Sequence, residues 1–176
     1  MLIVGDNLKS LLHQHHVVSD ERAYDVNSLA LRLDRTVKTV QPEAGAVVTY
    51  GSTVPDHWVR EQRIADDGLV LPARGAVLGC SRGVVTIPPG YFGLLQTKGS
   101  LARLFVMINC CDGQIEAGFS GKVTFEICNL APFDVRLPPG SPVGQLFIFK
   151  TSTKLAPAYA GRYQSAAAPT VARPEH

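Results

Sequence analysis

The stretch QIEAGFSGKVTFEICN, residues Gln114–Asn129, joins a Gly-aromatic-Ser-Gly turn to a run of alternating apolar and polar residues. Alternation with a period of two predicts a half-buried β-strand after the turn. Phe125 and Ile127 would then point into the core, while Thr124 and Glu126 would share the opposite face. The stretch therefore predicts a β-hairpin that presents polar side chains on one side.

Similar short runs surround this hairpin, and they are separated by Gly- and Pro-rich turns. SLALRLD (28–34) alternates in the same way. The runs after residue 75 are AVLGC, GVVTIP, GYFGLLQT, LARLFVMI, KVTFEICN, FDVRLP and VGQLFIFK. Short strands at this spacing predict an all-β fold, a distorted jelly-roll-like β-barrel. We expect one domain over residues 1–155 and a flexible Ala/Pro-rich tail over 156–176.

One helix and one irregular segment complete the predicted organisation. An amphipathic helix is expected over Asn7–His15, with Asp6 as its N-cap and Leu8, Leu11 and Leu12 on its buried face. The polar, turn-rich segment 41–72 predicts a long excursion from the sheet.

Composition indicates a soluble globular protein. Of the 176 residues, 45% are hydrophobic and 18% are charged, and the net charge of +2 indicates neither a nucleic-acid nor a membrane partner. The N-terminal stretch has no basic region of a signal peptide. The four cysteines, which include the adjacent pair Cys110–Cys111, are interpreted as small buried hydrophobes in a reducing compartment, so a cytoplasmic location is expected.

Several catalytic signatures are absent from the sequence. It contains no H-x-E followed by P-C-x-x-C zinc set, no GxSxG elbow, no Walker loop and no dinucleotide fingerprint. We therefore expect no protein-bound zinc and predict that any activation of water depends on carboxylates.

Two segments could carry chemistry, and each also has an ordinary interpretation. KGSLAR (98–103) could cradle phosphates, because small residues lie between two cations, or it could be a solvated basic turn. Glu126, in a half-buried pocket, could shuttle protons near neutral pH or be a surface glutamate. Glu116 and Phe119 could bind and stack on a sugar, or could simply pack in a turn.

Four motifs together resemble the dCTP deaminase/dUTPase superfamily, closest to its dCTP deaminase branch. TKGSLAR resembles the family's phosphate motif, IEAGFSG its hairpin motif, GSPVGQL its G-x-x-I-G-Q-L motif, and YAGRYQ its tail motif. The resemblance implies a dUTPase-like barrel and a homotrimer with active sites between subunits. It also implies Mg²⁺ bound through the nucleotide triphosphate and metal-independent conversion of dCTP to dUTP and ammonia.

The resemblance also implies roles for individual residues. Glu126 would be the general base and Arg103 would orient the water, with Ser100 as a third catalytic residue that also holds phosphate. The substrate-binding residues implied are Lys98, Gly99, Ser100, Arg103, Asp112, Gln114, Glu116, Phe119, Thr124, Gln145, Tyr159, Arg162 and Gln164. Among these, Glu116 would bind the 3′-hydroxyl, Phe119 would pack on the deoxyribose, and the tail residues would close over the triphosphate.

Two departures from the family pattern leave alternatives open. Gly99 stands where the deaminases have the first serine of a pair, and Glu116 stands where the family has an aspartate. The alternatives are release of pyrophosphate, with or without deamination, and a homologue that binds a nucleotide without converting it.

Overall fold

The computed structural model describes residues 1–153 and 158–174, and within these residues the chain is built mainly from β-strands. The strands are β1 (Tyr24–Asp25), β2 (Ser28–Arg32), β3 (Thr36–Val40), β4 (Val59–Arg63), β5 (Leu69–Leu71), β6 (Ala76–Cys80), β7 (Val85–Thr86), β8 (Tyr91–Thr97), β9 (Val106–Met107), β10 (Gln114–Ile115), β11 (Ser120–Gly121), β12 (Thr124–Asn129), β13 (Val135–Leu137) and β14 (Pro142–Lys150). The helices are α1 (Gly5–His15) and α2 (Gly99–Ala102), with 3₁₀ turns at Glu21–Ala23 and Asp56–Trp58.

Two five-stranded sheets make up most of the fold. One has the order β1-β2-β14-β8-β10, and the other has the order β4-β3-β6-β12-β9. Two smaller pairs, β11-β7 and β13-β5, complete the architecture. The predicted mainly-β fold with a short N-terminal helix is confirmed, although the four sheets do not join into one closed barrel.

Strand β12 forms the predicted half-buried strand. Its residues alternate between half-buried and buried along the whole strand, and Phe125 and Ile127 are completely buried. Glu126 therefore points away from the core, between two side chains that anchor the strand. Its strand is paired with β6 on one side and with β9 on the other.

Helix α1 packs Leu8, Leu11 and Leu12 into the core, as predicted. The N-cap is Val4, without a side-chain cap, and Asp6 lies in the first turn. The prediction of Asp6 as the cap is therefore wrong. In the first turn its charge still interacts favourably with the helix dipole.

The run LARLFVMI does not form the predicted strand. The carbonyl of Lys98 accepts the amides of Leu101 (2.9 Å) and Ala102 (3.0 Å), which makes the helical turn α2, and only β9 remains extended. The excursion 41–72 is also more regular than predicted. It contributes β4, which pairs along β3, and β5, which pairs with β13.

The cysteines differ from the prediction. Cys80 is buried, but the adjacent pair Cys110–Cys111 is exposed and Cys128 is half-buried. Burial raises the pKa of the Cys80 thiol to about 12. The exposed pair follows β9 in the loop before β10, where the strand pattern no longer determines which side chains face the core.

The tail was expected to be flexible, but its described part, 158–174, lies against the hairpin through hydrogen bonds given below. The expected domain boundary between residues 155 and 156 lies outside the described residues. No helix in the described parts of the chain is long and apolar enough to cross a membrane.

Candidate active site

A cavity of about 540 Å³ opens beside the hairpin and is lined by both arms of the hairpin and by the tail. Many of the residues that the sequence predicted as site residues lie in its wall. They are Asp112, Gln114, Glu116, Phe119, Thr124, Glu126 and Tyr159. The cavity therefore brings Glu126 together with Glu116 and Phe119 of the IEAGFSG motif.

Glu126 is held in place by a backbone donor. Its Oε2 accepts the amide N–H of Cys111 at 3.2 Å, and its strand pairs with β6, where Leu78 lies opposite. A half-buried carboxylate with one backbone donor and one open side can accept a proton from a water in the cavity. The Cys111 amide was not among the predicted site groups.

Asn109 fixes the loop that carries this amide. Its side chain accepts a hydrogen bond from the Thr97 hydroxyl (3.1 Å) and donates one to the Leu95 carbonyl (3.0 Å). These contacts tie the loop before β10 to strand β8. Sequence reasoning missed Asn109, because a single asparagine next to two cysteines carries no periodic signal.

The turn of the hairpin presents Glu116 and Phe119 to the cavity. The Phe119 amide donates to the Glu116 carbonyl (3.1 Å), and the Glu116 side chain is exposed. Phe119 is only 7% exposed, and its ring centroid lies 5.9 Å from that of Tyr159. An exposed carboxylate beside a fixed aromatic surface can bind a hydroxyl and pack against a sugar.

The predicted substrate-binding residues Asp112 and Gln114 lie in a loop of the cavity wall that is fixed through its backbone. The Asp112 carboxylate accepts the Gln114 amide at 2.9 Å, and the Gly113 carbonyl accepts the Leu95 amide at 2.7 Å. A Cβ at Gly113 would lie 2.5 Å from the Leu95 oxygen. Only glycine allows so close an approach of this loop to strand β8.

Lys122 is the one lysine or arginine among the described residues of the cavity wall. Its Nζ forms a 2.8 Å ion pair with Asp34, and both side chains are largely buried. Burial tends to raise the pKa of Asp34, but the hydrogen bonds from Lys122 and from the Thr36 amide outweigh it and keep the pKa below its usual value. Sequence reasoning did not single out Lys122, because its partner lies 88 residues away.

The tail engages several predicted groups. The Thr124 hydroxyl accepts the Thr170 amide at 3.1 Å and contacts the Thr170 hydroxyl at 3.0 Å. The Gln164 side chain bonds the backbone of the hairpin turn, and Arg162 donates to the carbonyls of Arg173 (2.6 Å) and Pro174 (2.9 Å). Tyr159 lines the cavity, whereas Arg162 and Gln164 do not.

The predicted phosphate-binding groups lie elsewhere on the chain. Lys98 is half-buried, Gly99 and Ser100 are exposed, and Arg103 Nη1 donates to the Gly99 carbonyl at 3.1 Å. Gln145 Nε2 donates to Ser28 Oγ at 3.3 Å. In the part of the chain that the structure describes, none of these residues lines the cavity of its own chain.

Metal ligands are not clustered in the described residues. No group of three His, Cys, Asp or Glu side chains there is arranged to hold an ion.

Comparison with known proteins gives consistent matches. The family model of dCTP deaminase-like proteins matches residues 2–151. A protein of Parafrankia sp. (strain EAN1pec) named dCTP deaminase, dUMP-forming is 34% identical over 159 residues, which are 88% of this chain and 79% of that protein. A protein of the same name from Pseudarthrobacter chlorophenolicus is 35% identical over 152 residues, with coverage of 84% and 80%.

A solved structure supports the fold. The crystal structure of 2′-deoxycytidine 5′-triphosphate deaminase from Agrobacterium tumefaciens superposes with a TM-score of 0.64 at 18% identity. The match covers 84% of this chain but 47% of that one, so this chain spans about half of that protein's length.

Proposed function

The chain belongs to the dCTP deaminase-like family, and on that basis we propose that it removes the exocyclic amino group of dCTP by hydrolysis. The curated relatives, named dCTP deaminases, support an enzyme of this kind. The single observation that carries the proposal is Glu126, which is half-buried in the cavity wall and held by the Cys111 amide at 3.2 Å.

Glu126 acts as the general base. It takes a proton from a water that adds to C4 of cytosine, and it returns protons to the amino group, which leaves as ammonia. The Cys111 amide steadies one carboxylate oxygen and leaves the other for the water. The loop at Asp112–Gln114 lies beside the flat base, and the glycine at position 113 lets this loop pack closely on Leu95 of strand β8.

The sugar lies at the hairpin turn. Glu116 accepts a hydrogen bond from the 3′-hydroxyl, and the ring of Phe119 packs against the deoxyribose. An added 2′-hydroxyl would have to displace this ring or lose its own hydration, which disfavours a ribonucleotide.

The product is dUMP in this proposal, with pyrophosphate released in the same site. Resemblance alone favoured dUTP as the product, with pyrophosphate release as the alternative. The names of the relatives specify formation of dUMP, and this favours the alternative. The balanced reaction takes dCTP and two waters to dUMP, ammonia and pyrophosphate. Glu116 is a further carboxylate of the cavity wall that can interact with the second water.

A homotrimer would complete the site. The turn that carries Lys98, Ser100 and Arg103 does not line the described cavity of its own chain, and its cations are placed in this proposal on the triphosphate of a nucleotide in a neighbouring copy. Arg103 and Ser100 would then orient the reacting water and the phosphates of a nucleotide bound next door. The trimer and a cytoplasmic location remain predictions.

Magnesium would enter with the nucleotide. Mg²⁺ at nucleotide sites is usually held by phosphate oxygens, waters and one or two carboxylates, and Asp112 and Glu116 are carboxylates of the cavity wall. When bound, Mg²⁺ would neutralise triphosphate charge, while the chain's own groups bind the base and sugar and move protons at C4.

The test is to incubate the purified protein with dCTP, CTP or dUTP and Mg²⁺, to separate the nucleotides, and to assay ammonia and pyrophosphate. Ammonia, dUMP and pyrophosphate from dCTP are expected. Ammonia with dUTP would retain the deaminase and exclude the second hydrolysis. Nucleotide binding without any product would refute the enzyme and identify a binding homologue.

A further inference from the structure

The turn that carries Phe119 is held firmly on its inner side. The Gly118 amide donates to the Ile87 carbonyl at 2.7 Å, and the Ile87 amide donates to the Phe119 carbonyl at 2.9 Å. The backbone of the buried residue Ile87 therefore bonds the turn at both Gly118 and Phe119. The remaining backbone groups of the turn face outward, toward the tail.

The tail provides hydrogen-bond partners for these outward-facing backbone groups. The Tyr159 amide donates to the Ala117 carbonyl at 2.8 Å, and the Ser165 amide donates to the Ser120 carbonyl, also at 2.8 Å. These bonds lie at the two ends of the turn. Between them, one more carbonyl and one more amide of the turn need partners.

Gln164 supplies both missing partners with one side chain. Its Nε2 donates to the Gly118 carbonyl at 3.0 Å, and its Oε1 accepts the Ser120 amide at 3.0 Å. A primary amide presents a donor and an acceptor side by side, as a neighbouring strand residue would. The two bonds grip the backbone directly before and directly after Phe119.

The glycines of the turn give independent evidence that the tail docks on it. Gly118 has φ +91°, and a Cβ on it would lie 2.5 Å from the Ala158 Cβ. A Cβ on Gly121 would lie 2.8 Å from the Ala166 amide nitrogen. Any larger residue at either position would push the tail off the turn, so glycine is required for this contact.

We propose that Gln164 is a positioning residue that sets the preference for a 2′-deoxyribose by fixing the backbone on both sides of Phe119. The inference rests on the proposed function, which places Phe119 against the sugar. Because Phe119 also contacts Tyr159, a loosened turn would let the ring move away and make space for a 2′-hydroxyl. Gln164 thus contributes to sugar selection rather than to phosphate binding.

The direct test is Gln164→Glu, which keeps the shape of the side chain but removes the donor and places a charge against the Gly118 carbonyl. Gln14→Glu, on the exposed face of α1, is the control with the same change of charge. The preference for dCTP over CTP, measured as the ratio of kcat/KM values, is expected to fall about tenfold in Gln164→Glu, the effect of about one lost hydrogen bond. Gln14→Glu should keep the wild-type ratio.

The pH dependence of this ratio separates a hydrogen-bond role from a merely structural one. A protonated glutamate again has one donor and one acceptor, so the ratio of Gln164→Glu should recover as pH falls toward about 4.3, the ordinary pKa of glutamate. Any effect of pH that is common to both substrates cancels in the ratio. Equal losses for dCTP and CTP, or a lowered ratio that does not change with pH, would overturn the proposal.

Two further measurements keep the test decisive. Gln164→Met lacks both hydrogen-bonding groups without adding charge, so it replaces the first variant if circular dichroism shows that Gln164→Glu is unfolded. Equilibrium binding of dCTP and CTP is measured in parallel. If the wild type binds dCTP but forms no product, the proposed function fails, while the binding ratio of the variants still decides the role of Gln164.

Discussion

Replacement of Glu126 by glutamine tests its catalytic role, because the substitution should abolish proton transfer while leaving the stability of the fold almost unchanged. Glutamine has nearly the same shape, and its side-chain oxygen can still accept the Cys111 amide that lies 3.2 Å from Oε2. The change in the free energy of unfolding should therefore stay within about 0.5 kcal/mol. An uncharged amide, however, cannot take a proton from water.

The expected loss of activity follows from this chemistry. General base catalysis contributes about 10²- to 10⁴-fold, so kcat for ammonia release should fall by this factor, which corresponds to about 3 to 5.5 kcal/mol of transition-state stabilisation. Binding of dCTP should change by less than about tenfold, because glutamine keeps the size of the side chain and its hydrogen bond from the Cys111 amide.

The assay is single-turnover ammonia release at saturating dCTP, with binding measured by calorimetry and unfolding by urea. Glu126→Ala is the matched comparison, because it also removes the acceptor of the Cys111 amide and should cost about 1 kcal/mol of stability in addition. Glu126→Gln with near wild-type turnover would falsify the assignment of Glu126 as the base.

Three other changes have defined outcomes. Gly99→Ser should leave dCTP turnover equal or raise it, because a Cβ there would lie 3.4 Å from Arg103 Nη1 and clashes with nothing; a steep loss in steady-state kinetics would contradict this. Asp34→Asn should destabilise the fold by about 1–3 kcal/mol at neutral pH, since it leaves the largely buried Lys122 without its anion. Because the pKa of Asp34 is lowered in the folded state, its contribution is complete above the unfolded value of about 3.9 and disappears as pH falls through the folded value. Urea unfolding at pH 7 and at pH 3 measures the difference in stability between the wild type and Asp34→Asn. An equal difference at both pH values would contradict the stabilising role of the Asp34–Lys122 ion pair. A thiol reagent should label the adjacent exposed cysteine pair in the native protein but Cys80 only after unfolding, since that thiol is buried and its pKa is about 12; rapid native labelling of Cys80, located by mass spectrometry, would show that its strand opens.

Periodicity predicted most of the strands because burial alternates along an extended chain. It correctly predicted the two faces of β12 and the buried leucines of α1. The same pattern was wrong for LARLFVMI, where Leu101 is buried by a helical turn. It was also wrong for the exposed cysteine pair, because small apolar residues in a loop have no strand that determines which way they face.

The amino-acid sequence by itself determined the mainly-β class, the hairpin with its two carboxylates, and the motifs by which the family could be recognised, because each is written in contiguous residues. Only the tertiary structure decided which groups meet. Gln164 bonds a turn 46 residues away, and Lys122 pairs with an aspartate 88 residues away. Such partners are brought together by the packing of whole sheets and of the tail. No local sequence pattern predicts such pairs. The residues that hold the site in place could therefore be identified only from the tertiary structure.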